Sequence, residues 1–168
     1  MRLTFTVRPV DVEELDRGDP AQVASENALR KARAARRPGA REAVLGCDTL
    51  VALGARIYGK PAGEVQARAM LRVLSGATHE VVSGIALLLP GEERTAISRT
   101  AVTFRELDGR LLDWYLASGE WRGRAGGYAI QGAGAALVRT VEGDYENVVG
   151  LPLATLLDVY PELLLACK

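Results

Sequence analysis

Several kinds of residue are scarce in this chain of 168 residues, and each scarcity excludes a class of protein. There is one histidine, His79, so neither a histidine metal cluster nor a second serine–histidine pair can be built. There are two cysteines, Cys47 and Cys167, near the middle and the end of the chain. Two so placed give no disulfide framework and no zinc spacing, and point to a reducing cytoplasm. No run is apolar over the ~20 residues that a membrane span needs, and the N-terminal "MRLTFTVRPV" lacks the apolar core of a signal peptide. Charge of one sign is also missing. Twenty-one basic and 21 acidic side chains give a formal net charge of zero, which argues against binding a nucleic-acid polymer and leaves room for a local basic pocket.

What remains is an ordinary globular balance, 48% hydrophobic and 25% charged, long enough for one domain with a sizeable core. "LTFTV" alternates with Leu3, Phe5 and Val7 on one face, the pattern of a half-buried strand. Asp19-Pro20 reads as the N-cap and first residue of a helix. Its stripe of Ala21, Ala24, Ala28, Ala32 and Ala35, with Val23 and Leu29, packs closely on something flat and ends before Pro38-Gly39. A strand over 43–53, a turn at Gly54-Ala55 and a return strand over 56–58 follow. A second helix spans 64–74, with Val65, Ala69, Val73 and Leu74 on one side. Two long strands, 79–89 and 94–104, flank "PGEE", and a third helix turns Leu111, Leu112, Tyr115 and Leu116 inward. A glycine-rich loop over 119–134, a strand over about 135–141 and a helix from Pro152 complete the pattern. Strands and helices interleave without repeat or linker, so the class is α/β or α+β with one mixed sheet.

The chemistry concentrates in "VLGCDTLVALGARIYGKP", residues 44–61, where an apolar strand carries Asp48 and Thr49 and the chain returns with Lys60. With the turn at Gly54-Ala55, antiparallel pairing sets Thr49 opposite Lys60 and brings Asp48 to the same end. A carboxylate there can hold a hard cation or activate water, and a lysine can neutralise phosphate oxygens. The competing reading is a structural ion pair at the base of a hairpin. Asp11, Glu13, Glu14, Asp16 and Asp19 form an acidic stretch, one of which can complete a magnesium site with Asp48 while the others are solvated. In "GRAGGYAIQGAGAALV" the glycines allow close approach to a ligand, and Gln131 offers an amide that matches the paired donor and acceptor of a pyrimidine edge; a loop amide bonded to backbone is the alternative. "RKARAARR" scatters its cations around a helix, with Lys31 alone a candidate phosphate contact. His79 reads as bracing the turn near Ser75-Gly76, and Cys47 as core.

Taken in order, "GCDTLVAL", "YGKPAGEVQARAMLRVLSGATHEVVSGIAL", "TAVTFREL", "YLASGEWRGRAGGYAIQGAGAALV" and "VEGDYENVVGLPL" resemble the Maf family of nucleoside triphosphate pyrophosphatases, also described as septum-formation inhibitors. The resemblance implies a single Maf-like domain over 1–168, with a mixed-sheet fold like the inosine-triphosphate pyrophosphatases and a deep cleft. It implies hydrolysis of dTTP and UTP to monophosphate and pyrophosphate with magnesium or manganese. Asp48 then resembles the catalytic acid and a metal ligand, Lys60 the phosphate-binding lysine, Glu14 a metal-holding glutamate, and Thr49 and Gln131 base-selecting positions. Arg124 stands as a substrate contact where the family usually has lysine. The family's first strand and its Ser-x-Arg-Arg loop have no counterpart here, "ISRT" at 97–100 being the nearest word and lying in a strand. The expected ligand is a pyrimidine nucleoside triphosphate. A cytoplasmic location without membrane or nucleic-acid partners and a homodimer are compatible with this. The alternatives are an inactive nucleotide-binding relative and an interaction protein acting in cell division.

Overall fold

The computed structural model describes residues 4–39 and 41–166. Helix α1, Pro20–Ala35, begins as its sequence dictates: the Asp19 carboxylate accepts from the backbone N–H groups of Ala21 and Gln22, and Pro20 needs no partner for an absent N–H. Strand β1, Val44–Leu53, turns through Gly54-Ala55 into β2, Arg56–Tyr58. Helix α2, Glu64–Leu74, leads to the long strands β3, Thr78–Leu89, and β4, Glu92–Phe104, joined by a tight turn. Helix α3, Gly109–Ser118, is capped by Asp108 and stopped by Gly119 in the left-handed region. The glycine-rich segment then holds two 3-10 turns, Ala125–Gly127 and Ala133–Leu137, before β5, Val138–Glu142. Two short helices, α4 (Tyr145–Val149) and α5 (Leu153–Val159), and a final 3-10 turn close the chain.

The five strands form one sheet in the order β2-β1-β3-β4-β5, and every pairing is antiparallel. Of the two classes the sequence left open, α/β and α+β, with helices and strands around one sheet, the antiparallel pairings give α+β, and the sheet among the described residues is antiparallel rather than mixed. No helix among the described residues is long and apolar enough to cross a membrane.

The sheet divides its residues by parity. On one face Val44, Leu50, Val82, Ala86 and Leu88 meet the alanine stripe of α1, whose Ala24, Ala28 and Ala32 are fully buried. On the other face Val51, Val81, Val102 and Phe104 pack with Leu71, Leu74, Leu112 and Tyr115 of α2 and α3. The close seating of α1 has a specific cause. A Cβ on Gly46 would stand 2.2 Å from the carbonyl oxygen of Ala28, and one on Gly84 2.3 Å from that of Ala24. Two missing side chains therefore let the helix backbone lie directly on β1 and β3.

Three expectations are corrected. Residues 4–8 carry no strand, and Phe5 and Val7 are 77% and 73% exposed; Leu3, the third member of that alternation, falls outside the described residues. The alternation finds no strand to pair with among the described residues, and Arg8 instead reaches the carbonyl of Ala35 and the carboxylate of Glu42. Helix α2 has the expected bounds but buries Ala67, Leu71 and Leu74, while Val65 is 86% exposed and Ala69 and Val73 also face outward. The bulkier Leu71 and Leu74, with Met70 beside them, decide the inward face. His79 braces no turn: it lies buried in β3, edge-on to Phe104 and Tyr128, with Nε2 2.9 Å from the Tyr128 hydroxyl.

Candidate functional site

Asp48 stands on β1 directly opposite Gly84, on the face that meets α1. Because Gly84 has no side chain, α1 comes near enough for two of its residues, one turn apart, to reach the carboxylate. Lys31 Nζ lies 2.5 Å from Asp48 Oδ1, and Asn27 Nδ2 donates to Asp48 Oδ2 at 3.0 Å. The carboxylate is only 6% exposed. The same lysine lies 2.8 Å from Oε1 of Glu14, so one ammonium joins two carboxylates from separate segments. Burial pulls the Lys31 pKa down, but its bonds to Asp48 and Glu14 outweigh it and the net movement is upward. The hydrogen bond from Lys31 holds the Glu14 carboxyl below its ordinary range against burial, with the charge of Lys60 adding to the effect.

Of the five acids in the N-terminal stretch, the structure brings Glu14 to the site. Asp19 serves as the helix cap, and Asp16 sits exposed beside Arg17. The carbonyl oxygen of Glu13 accepts from Arg30, which ties the acidic stretch to α1 a second time.

The hairpin keeps the expected register, Val51 opposite Tyr58 and Leu53 opposite Arg56, but its ladder ends there. Thr49 and Lys60 are therefore not paired. Gly59 turns its carbonyl to the N–H of Gly126 at 3.1 Å, and Pro61 has no N–H to give, so the chain leaves β1. The partner of Asp48 is Lys31, and no ion pair with Lys60 forms, which removes the reading of a hairpin-base ion pair.

Beside β1, where β2 stops, lies a cavity of about 260 Å³. Lys31, Asp48, Thr49, Lys60, Arg124 and Gln131 all line it, so the residues singled out in the sequence converge on one cleft, with Glu14 joined through Lys31. Arg124 and Gln131 also line an adjoining hollow of about 380 Å³. Among the described residues the side chains of Lys60, Arg124 and Gln131 carry no hydrogen bond or ion pair, and Lys60 and Gln131 are exposed. Thr49 is less free: its hydroxyl lies 2.8 Å from that of buried Ser83 and 3.4 Å from the carbonyl oxygen of Gly150. Cys47 is half-buried at the cavity wall rather than in the core, and burial pushes its thiol up to about 11.

Two contributors escape sequence reading, Asn27 and Ser83. Asn27 carried a signal all the same. It and Lys31 occupy the inward face of α1, interleaved with Ala24, Ala28 and Ala32. An amide and an ammonium inside an apolar stripe must find partners there.

The donor set is that of a hard cation. Glu14 and Asp48 present carboxylate oxygens around one positive charge, and magnesium is usually held by one or two carboxylates with phosphates and waters. Among the described residues no three histidine, cysteine, aspartate or glutamate side chains cluster to hold a metal ion.

Comparison with known proteins places the chain among relatives. The family described as "Maf-like protein" matches residues 1–163. The dTTP/UTP pyrophosphatase of Deinococcus radiodurans is 44% identical over 147 residues, 88% of this chain and 75% of that protein. That of Pyrococcus furiosus is 42% identical over 153 residues, 90% of this chain and 80% of its own. The protein of the same name from Myxococcus xanthus is 47% identical over 155 residues, 90% and 78%.

Proposed function

The chain belongs to the Maf-like protein family, and from that premise we propose that it is a pyrophosphatase hydrolysing dTTP and UTP to the monophosphate and pyrophosphate. The observation that carries this reading is the composition of one cleft: a buried carboxylate, Asp48, faces three cationic side chains, Lys31, Lys60 and Arg124, with the free amide of Gln131 at the same wall.

Each residue has a task its position supports. Asp48 accepts a proton from the attacking water; its two oxygens already take one donor each, and a carboxylate has lone-pair sites to spare. The water oxygen bonds to the α-phosphorus, the bond to the bridging oxygen breaks, and pyrophosphate leaves. Lys60 and Arg124, unpaired among the described residues, neutralise phosphate oxygens. Glu14 and Asp48 would hold a magnesium or manganese ion, which supplies positive charge against the leaving phosphates when bound. Gln131 reads the pyrimidine edge. The Thr49 hydroxyl, already engaged by Ser83 and Gly150, shapes the wall beside it. The free thiol of Cys47 suits a reducing cytoplasm, where the substrates are free nucleotides.

The test is release of pyrophosphate from dTTP and UTP by the parent and by Asp48→Asn. The parent releases pyrophosphate, and the variant keeps its fold while losing 10²- to 10⁴-fold in rate, the usual worth of a general base. Release of single phosphates, or a variant as fast as the parent, would overturn the reading.

A further inference from the structure

Asn27 is fully buried, and its amide is spent in an unusual way. Its Oδ1 accepts from the backbone N–H of Leu15 at 2.7 Å, and its Nδ2 donates to the carbonyl of the same residue at 3.0 Å. The remaining Nδ2 hydrogen goes to Asp48 Oδ2 at 3.0 Å. The side chain thus grips one backbone residue from both sides, as a neighbouring strand would, and holds the Asp48 carboxylate with what is left. Leu15 follows Glu14 directly.

We infer that Asn27 is a positioning residue that fixes the separation and orientation of the Glu14 and Asp48 carboxylates, and so sets the affinity of the site for a divalent cation. The inference rests on the proposed function for its link to turnover, but not for its link to metal binding.

Lys31 and Asn27 bracket the same two segments by different physics. The lysine joins Glu14 to Asp48 through charge, and an arriving cation or a phosphate competes directly for that charge. The amide is neutral, its two donors are fully used, and nothing in a metal–nucleotide complex competes for the Leu15 backbone. When Lys31 is drawn toward phosphate, Asn27 still holds the acidic segment against α1. Arg30, with its bond to the Glu13 carbonyl oxygen at 2.9 Å, supports the same segment but does not touch Asp48. Groups of this kind behind metal-binding carboxylates typically govern affinity or activity by 10- to 100-fold.

The experiment compares the parent with Asn27→Leu and Asn27→Ser. Asn27→Leu fills the same space but neither accepts from nor donates to Leu15, and gives Asp48 no donor. Asn27→Ser keeps a small polar group if the first variant does not fold. Two quantities are read. The first is manganese affinity, by calorimetry in the presence of a non-hydrolysable α,β-methylene analogue of dUTP. The second is the manganese concentration at which pyrophosphate release is half-maximal. Manganese affinity falls about 10-fold or more in either folded variant, and the half-maximal concentration rises by the same factor. A folded variant with parental values of both would make Asn27 a packing residue only. A parent inactive on dTTP and UTP overturns the proposed function instead, and the manganese titration then decides the role of Asn27 alone.

Discussion

Lys31 Nζ lies 2.5 Å from Asp48 Oδ1, although one residue comes from a helix and the other from the sheet beneath it. The contact exists because Gly46 and Gly84 let α1 settle onto the strands. It gives Asp48, a nearly buried carboxylate, a counter-ion that it shares with Glu14.

Replacing Lys31 with Met leaves two carboxylates facing each other across an apolar stem. The variant should lose about 1–3 kcal/mol, the cost of leaving a buried charged group without its partner. It should also regain more thermal stability on adding manganese than the parent does, since the metal no longer displaces an ammonium. Glu14 should then titrate closer to its usual range, so the stability that its pairing contributes in the parent, lost as pH falls through the depressed value, is missing from the variant and the gap between the two proteins should narrow at acid pH. Melting curves with and without manganese across pH check both. Identical gains in the two proteins would show that Lys31 and the metal do not share a position.

His79 predicts a separate pH effect in the core. Burial lowers its pKa from an ordinary 6.5 to about 4. Between those values the unfolded chain binds a proton that the folded protein does not, so stability rises with pH from about 4 to 6.5 and is flat above. The full effect is about 3 kcal/mol. In His79→Gln this component should vanish, so the stability gap between parent and variant should narrow as pH falls. Urea unfolding at a series of pH values reads it. A gap independent of pH would mean that His79 takes up its proton in the fold as readily as in the unfolded chain.

Gly84→Ala should be costly out of proportion to one methyl group. The added carbon would meet the Ala24 carbonyl oxygen at 2.3 Å and the Ser25 nitrogen at 2.7 Å, and backbone atoms cannot swing aside. A loss of about 1–3 kcal/mol follows if α1 lifts, and activity falls with it because Asn27 and Lys31 ride on that helix. Gly109→Ala, with nothing within 4 Å, is the control and should stay within about 0.5 kcal/mol of the parent. Chemical denaturation of the pair separates steric cost from the general effect of replacing glycine.

Gln131 and Lys60 should fail differently. Lys60→Ala should reduce kcat/KM for every nucleoside triphosphate by a similar factor, since it meets phosphate. Gln131→Glu removes the amide donor that matches a uracil or thymine carbonyl, and should change the ratio of UTP to CTP by at least about 10-fold. Rates on four nucleotides for both variants test this. Equal losses across bases for Gln131→Glu would place the base elsewhere.

Much of this was written in the sequence where one residue type had one reason to be present. Asp19-Pro20 opens α1 and the alanine stripe packs on a flat surface because caps and small residues have few other uses. Asp48 was legible as an acid inside an apolar strand. Less legible were features that depend on what lies opposite. The alternation of Phe5 and Val7 promised a strand, but strands need neighbours. The inward face of α2 turned on Leu71 rather than on Val65 and Val73. Asn27 drew no reading from the sequence, although it stands inside the alanine stripe. Only the close seating of α1 makes it the clasp between an acidic loop and a strand, and that seating depends on glycines in two other strand positions.

The single backbone bond from Gly126 to Gly59 has a consequence for the two cations beside it. Lys60 follows Gly59 and Arg124 precedes Gly126 by two residues, so the backbones that carry these charges are tied together by a main-chain bond. That bond does not depend on the side chains of Lys60 or Arg124. Proline, the one residue that would delete its donor, demands a negative φ where Gly126 has +66°. Exchanging the lysine or the arginine therefore alters what the cleft holds without altering how wide it stands. Width answers instead to Gly126, where any side chain would meet Val51 within 2.9 Å, so the two properties are set at different positions.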